Sequence, residues 1–257
     1  MTDQSNVTEE VRALLLGTVP ERPDDVARLL ENTQYEKAFD RPALHLEATA
    51  FFGSGLVVTT DRTMQQVWLI ANLAWRTLQE QSGFIIVPLV SGQPYDVRAY
   101  RDRDQHTDLV DRLGAALAAL RTADVGNIPW PSDIPQLDPE LKRLRDKQDH
   151  ATYDLACFAG AFLLLHETCH AQKRVRGEAE GGITEEMECD RFAIEFLITG
   201  CDVYAARHHH TPLEVLRKRA MGLFIGLAVV FESTEKACGS HRRAIPAPMT
   251  ASNSLRI

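Results

Sequence analysis

Residues 162–170 read Phe162-Leu163-Leu164-Leu165-His166-Glu167-Thr168-Cys169-His170. Two histidines stand four positions apart, and a glutamate directly follows the first. On an α-helix, positions i and i+4 lie one above the other on a single face. Two imidazoles placed in that way can hold one metal ion, with the glutamate aimed at the ion's open position. This is the H-E-x-x-H pattern of zinc peptidases. Upstream, Leu155 to Leu165 is almost wholly apolar. A helix that is apolar all round is buried all round. Two histidines and a glutamate at the end of such a helix are costly unless they have partners, and a metal ion supplies one.

The chain downstream supplies the other half of a site. Arg174 to Gly182 reads as a loop, with Gly177, Gly181 and Gly182. A second helix is expected from Thr184 as N-cap, with Glu185 and Glu186 in its first turn and Gly200 past its end. Glu186 and Asp190 are four apart and share a face. A glutamate opposite the H-E-x-x-H helix completes a His-His-Glu set that leaves one position for water. Glu186 is therefore the expected third ligand beside His166 and His170, and Glu188 is its rival. Asp190 is placed to accept the free ring N–H of a ligand histidine and fix its tautomer. The helix dipole accounts for acids in the first turn, but not for Asp190 among apolar neighbours. Glu185 and Glu195 are expected in solvent. Glu167 is the expected general base. Tyr204, Arg207 and His208 follow the second helix and are the candidates for stabilising an oxyanion. A fourth protein ligand, such as His208, would instead make the site a closed, structural one.

The block His166-Glu167-Thr168-Cys169-His170, followed by Glu185-Glu186-Met187-Glu188-Cys189-Asp190-Arg191-Phe192-Ala193, resembles the H-E-x-x-H plus E-x-x-x-D arrangement of the gluzincin clan. Within that clan it looks most like the Lit-type phage-exclusion peptidases, over about Tyr153 to Gly200. The resemblance implies a cytoplasmic zinc endopeptidase that cleaves elongation factor Tu in phage-infected bacteria. It implies His166, His170 and Glu186 as zinc ligands and Glu167 as catalytic base. ImmA-type peptidases, which cleave phage or stress repressors, share a similar ligand scheme. A non-catalytic interaction protein with a structural metal is the alternative from a different class.

Composition narrows the field. The 257 residues carry a net charge of -8, which argues against a nucleic-acid partner, since phosphate binding needs clustered Lys and Arg. Cys157, Cys169, Cys189, Cys201 and Cys238 are odd in number and form no C-x-x-C, so reduced thiols in a cytoplasm are expected. Met1 to Glu10 lacks the features of a secretory signal. The apolar run Ala220–Phe231 is too short to span a bilayer, which takes about 20 residues. It reads as a buried core helix whose Gly222 and Gly226 let a neighbouring helix come close.

The remaining segments predict an α+β protein, mostly α-helical, with a zincin-like metallopeptidase core. Helices are expected over Val7–Leu16, Asp24–Lys37, Thr63–Gln81, His106–Arg121 and Glu140–Lys147. Thr63 with Gln66 reads as a capping box and Gly83 as a stop. Leu56–Thr60 can form a short strand. The small sheet is expected near Phe84–Tyr100, from the run Phe84–Val90 followed by Ser91-Gly92-Gln93-Pro94. Asn127–Pro139, with four prolines, predicts a rigid irregular connection. Thr211-Pro212-Leu213-Glu214 marks the start of the last helix. One domain over 1–257 is expected, with a helical N-terminal region to about residue 60 and a flexible tail from about residue 240.

Overall fold

The apolar run before His166 forms the middle of a helix around which the other layers assemble. A computed structural model describes residues 4–37, 46–51, 53–92, 104–122, 130–136 and 147–242. In chain order these hold α1 (Gln4–Thr18), α2 (Pro23–Glu31), β1 (Thr33–Lys37), β2 (Leu46–Phe51), β3 (Ser54–Thr59) and α3 (Asp61–Ser91). Then come α4 (Asp104–Thr122), α5 (Lys147–Arg176), α6 (Gly182–Ile198), α7 (Cys201–His208) and α8 (Pro212–Arg242). The result is α+β and mostly helical.

Helix α5 touches α1, α3, α6, α8 and all three strands. Its Ala159, Ala161, Phe162 and Leu165 are fully buried. This is the outcome expected of a helix with no polar face upstream of its histidines. Val67, Trp68, Leu69 and Ala71 of α3 and Leu113 and Leu120 of α4 join the same core. Helix α8 lies against α5 through its glycines. A Cβ on Gly222 would fall 2.3 Å from Phe158 Cβ, and one on Gly226 would fall 2.7 Å from Phe162 Cδ1. The close approach expected at this pair is therefore present, but the run is not buried all round, since Phe224 is 64% exposed on the opposite side. Gly226→Ala is expected to cost about 1 kcal/mol, because the Phe162 ring must shift inside a packed core. A lower urea midpoint with an unchanged m-value checks it.

The sheet has the order β1-β3-β2. Strand β1 runs parallel to β3, with Tyr35 opposite Val57, and β2 runs antiparallel to β3, with Ala48 opposite Val57. It rests on the metal-motif end of α5. Gly55 is required there, since a Cβ would lie 2.9 Å from Ala171 Cβ. The buried Tyr35 hydroxyl lies 2.9 Å from Thr168 Oγ1, inside the H-E-x-x-H stretch. The sheet thus fixes the turn of helix that carries His170.

Several expectations change. Among the described residues, the sheet forms within Thr33–Thr59 and not from Phe84–Ser91. Residues 84–91 continue α3 through Gly83, and 93–100 lie outside the described residues. Extending an existing helix adds one hydrogen bond per residue fixed, without a new nucleation cost. The helix expected over Asp24–Lys37 stops at Glu31, and Thr33–Lys37 pairs with β3 instead. The N-terminal region to residue 60 therefore holds all three strands, not helices alone. The cap of α3 is Thr60, whose Oγ1 accepts from the Thr63 amide at 3.4 Å. The Glu140–Lys147 segment up to residue 146 and the tail beyond 242 lie outside the described residues, while 240–242 still belong to α8.

Other expectations hold. Leu56–Thr59 is strand, and α1 and α4 are helical over the expected stretches. Thr211 caps α8 reciprocally: Glu214 N donates to Thr211 Oγ1 at 3.2 Å, and Thr211 N donates to Glu214 Oε2 at 2.9 Å. Residues 130–136 form an irregular connection, held by Trp68 Nε1 donating to Pro135 O and by Asp133 pairing with Arg76 and Arg112. The far end of α6 is anchored by two arginines. Arg22 donates to Phe196 O at 2.7 Å, and Arg219 donates to Leu197 O at 2.7 Å. Arg219 is itself paired at 2.7 Å with Glu21, and both side chains are 1% exposed. Carbonyls that a helix end leaves without partners are satisfied there by guanidinium groups.

Candidate metal centre

Helices α5 and α6 lie against each other, and the site forms at their contact. His166 and His170 project from α5, 9% and 6% exposed. Their Nε2 atoms are 3.1 Å apart. Glu186 of α6 completes the group, with Oε2 at 3.2 Å from His166 Nε2 and Oε1 at 3.4 Å from His170 Nε2. One ligand atom from each of the three residues can be chosen so that all lie within 4.8 Å of one another.

The outward nitrogens are equally specified. His166 Nδ1 is 2.9 Å from Asp190 Oδ1, and His170 Nδ1 is 2.6 Å from Glu185 Oε1. A carboxylate only accepts, so each Nδ1 carries the proton and donates it. In the neutral rings, the form that binds a metal, this tautomer leaves a lone pair on each Nε2. Two such lone pairs at hydrogen-bond distance, facing a third electron-rich group, repel one another. A cation between them turns that repulsion into coordination. The residues present therefore fit a metal ion with two nitrogen donors and one oxygen donor.

Glu167 sits beside the histidines and is partly buried. Burial pushes its carboxyl above the ordinary glutamate range. His166 and His170 pull it down, and Glu186 adds to the rise. Glu186 is more open, with its side chain 59% exposed. The ligand face is thus buried on the histidine side and reachable from the glutamate side.

The structure brings together His166, His170, Glu186 and Asp190 as the spacing suggested. Glu188 does not join them. Its carboxylate is 2.5 Å from Lys173 Nζ, and that pair pulls the acid's pKa down. Tyr204 stacks on His208 with ring centroids 4.3 Å apart and lies under the Arg219 guanidinium. Arg207 and His208 are exposed. Glu195 is exposed as expected. Cys169 and Cys189 are free thiols, raised by burial.

Glu185 is the correction. It was expected in solvent, and it is 5% exposed. Oε1 holds His170, and Oε2 accepts from the Gly181 amide at 2.6 Å. Both bonds lower its pKa, the Gly181 amide first. The cause is where α6 begins. The helix starts at Gly182, with Gly181 at φ 72° as the residue before it, not at Thr184. Glu185 then falls at the fourth helical position, where its carboxylate can reach back to a free amide of the entry turn. The glycines at 181 and 182 were the available signal, since both adopt positive φ that other residues avoid.

A family model described as Peptidase U49 matches residues 57–243. The match takes in the second half of β3 and every described helix from α3 onward, and with them His166, Glu167, His170, Glu185, Glu186 and Asp190. No curated protein and no solved structure matches the chain.

Proposed function

The chain belongs to the Peptidase U49 family, and from that premise we propose that it is a zinc-dependent endopeptidase with its metal held by His166, His170 and Glu186. One observation carries this reading: the inner nitrogens of two buried histidines converge on a carboxylate while acids hold both outer nitrogens. Zinc suits two imidazoles and one carboxylate with a position left for water. When bound, it would bring the pKa of that water toward neutrality and polarise the scissile carbonyl.

The chain's own residues do the rest. His166 and His170 are held in one tautomer and one orientation by Asp190 and Glu185, so no rearrangement precedes binding. Glu167 is the proton acceptor, next to the site yet outside the ligand set. Its partial burial raises its affinity for a proton. That suits a group which takes a proton from water and returns it to the leaving amine. A fourth protein ligand would close the site. His208 stacks on Tyr204 instead, and the ligand group among the described residues comprises three side chains. These features favour a catalytic over a structural metal.

The Lit-type resemblance makes elongation factor Tu the first protein to try as substrate, and the ImmA-type scheme adds a phage or stress repressor. Metal analysis of the purified protein, with proteolysis of elongation factor Tu and of denatured casein before and after chelation, tests the reading. Zinc in equal amount to protein is expected. Cleavage should disappear on chelation and return with added zinc. Protein that carries no zinc, or that cleaves equally well after chelation, would remove the proposal.

A further inference from the structure

Helix α6 carries an oddity on its outer side. Ile183 is 80% exposed and Met187 is 66% exposed. Among the described residues these are the most exposed large apolar side chains. Single exposed apolar residues are ordinary and need no explanation. Here the two sit four apart, and their position relative to the site is specific. On a helix surface, residues three and four apart are neighbours. Ile183 therefore adjoins both Glu186 and Met187, and Asp190 adjoins both Glu186 and Met187. The four residues form one diamond-shaped facet, with an apolar edge of Ile183 and Met187 and an acidic edge of Glu186 and Asp190. The acidic edge faces His166 and His170. The apolar edge lies directly outside it.

Among the described residues, neither Ile183 nor Met187 belongs to the apolar core or to the partly buried side chains packed against it. The inner side of α6 is already supplied by Cys189, Ala193, Phe196 and Leu197, all buried. Ile183 lies in the first turn of α6, where small polar or acidic residues suit exposed amides better. Glu186 is the most open of the three converging side chains, 59% exposed, and this edge adjoins it on the helix surface. An extended protein segment presents side chains alternately on its two sides.

We propose that Ile183 and Met187 form a recognition platform for a large apolar side chain of an extended protein substrate. The inference rests on the peptidase reading above, since the occupant is the segment presented for cleavage. The flexible thioether of Met187 adapts to side chains of different shape. Ile183 supplies a stiffer wall. The contact excludes water from the Glu186 side of the site once the segment is seated.

The test separates this proposal from the peptidase reading by measuring binding in the absence of cleavage. The probe is a pair of fluorescently labelled nonapeptides, identical except for leucine or aspartate at the central position. A third copy carries photoreactive benzoylphenylalanine there. The host is zinc-loaded, full-length protein carrying Glu167→Gln. The leucine peptide should bind about tenfold more tightly than the aspartate peptide, as expected when one aliphatic side chain is partly buried. The double substitution Ile183→Ser, Met187→Ser should erase that preference and leave zinc content and helical circular dichroism unchanged. The photoreactive peptide should label the tryptic segment containing Met187. Equal binding of the two peptides, no binding of either, or a preference that survives the double substitution overturns the platform. Loss of the preference with loss of zinc would place the pair in the structure of the site and overturn it equally. The peptidase reading fails on a different result, the absence of zinc-dependent cleavage by the parent protein.

Discussion

Glu167→Gln is expected to leave zinc bound and to lower proteolysis by about 10²–10⁴-fold, the contribution of a well-placed general base. Glutamine keeps the shape and most of the hydrogen-bonding reach of glutamate, and it cannot take up a proton at neutral pH. Glu167 is not one of the three side chains that converge as a ligand group. Its amide analogue should therefore disturb neither the His166–Asp190 contact nor the His170–Glu185 contact. Removing the acid also relieves the cost of a partly buried negative charge beside Glu186. The variant's melting temperature should then be equal to the parent's or slightly higher. The informative comparison is kcat/KM against zinc content, measured on one preparation. A fall in activity with full zinc places Glu167 in the chemistry. Full activity would remove it from the mechanism, and loss of zinc would make it part of the metal-binding set.

The metal motif was legible because its information is local. Four residues of helical rise put His166 and His170 on one face whatever surrounds them, and the apolar run before them forces that helix into the core. Asp190 was legible for a similar reason, an acid on the inner side of an otherwise apolar helix face. The sheet was not legible where it forms. Strand β1 is only five residues long and reads Thr-Gln-Tyr-Glu-Lys. Thr33 and Tyr35 point inward and Gln34 outward. That period-two alternation is too short to outweigh the helical pattern running into it from Asp24. Its partner β3 is met some twenty residues later, and only that pairing makes Thr33–Lys37 a strand. Conversely, Phe84–Val90 has every local property of a strand and lies in α3. A short apolar run does not distinguish a buried strand from a buried helix. Pairing with β3 decided the first case, and continuation of an existing helix decided the second.

Glu185→Ala is expected to weaken zinc binding about 10- to 100-fold, the usual cost of removing a group that orients a metal-binding histidine. The substitution leaves His170 Nδ1–H without its acceptor and the Gly181 amide without its cap. His170 is 6% exposed, so water does not readily replace the lost carboxylate. The ring is then free to turn, or to shift its proton to Nε2, and either change withdraws the lone pair from the metal position. Glu185→Gln should recover part of the affinity, because its amide oxygen still accepts from Nδ1–H while the negative charge is gone. Glu188→Ala is the control. It carries the same charge change three residues along the same helix and breaks only the partly exposed pair with Lys173, so its zinc affinity should match the parent's. Competition with a chromogenic chelator on all three variants reads the order directly. Equal affinities for Glu185→Ala and the parent would show that the short contact to His170 does not hold the ring. A large loss for Glu188→Ala would return that residue to the ligand set from which its pairing with Lys173 withdraws it.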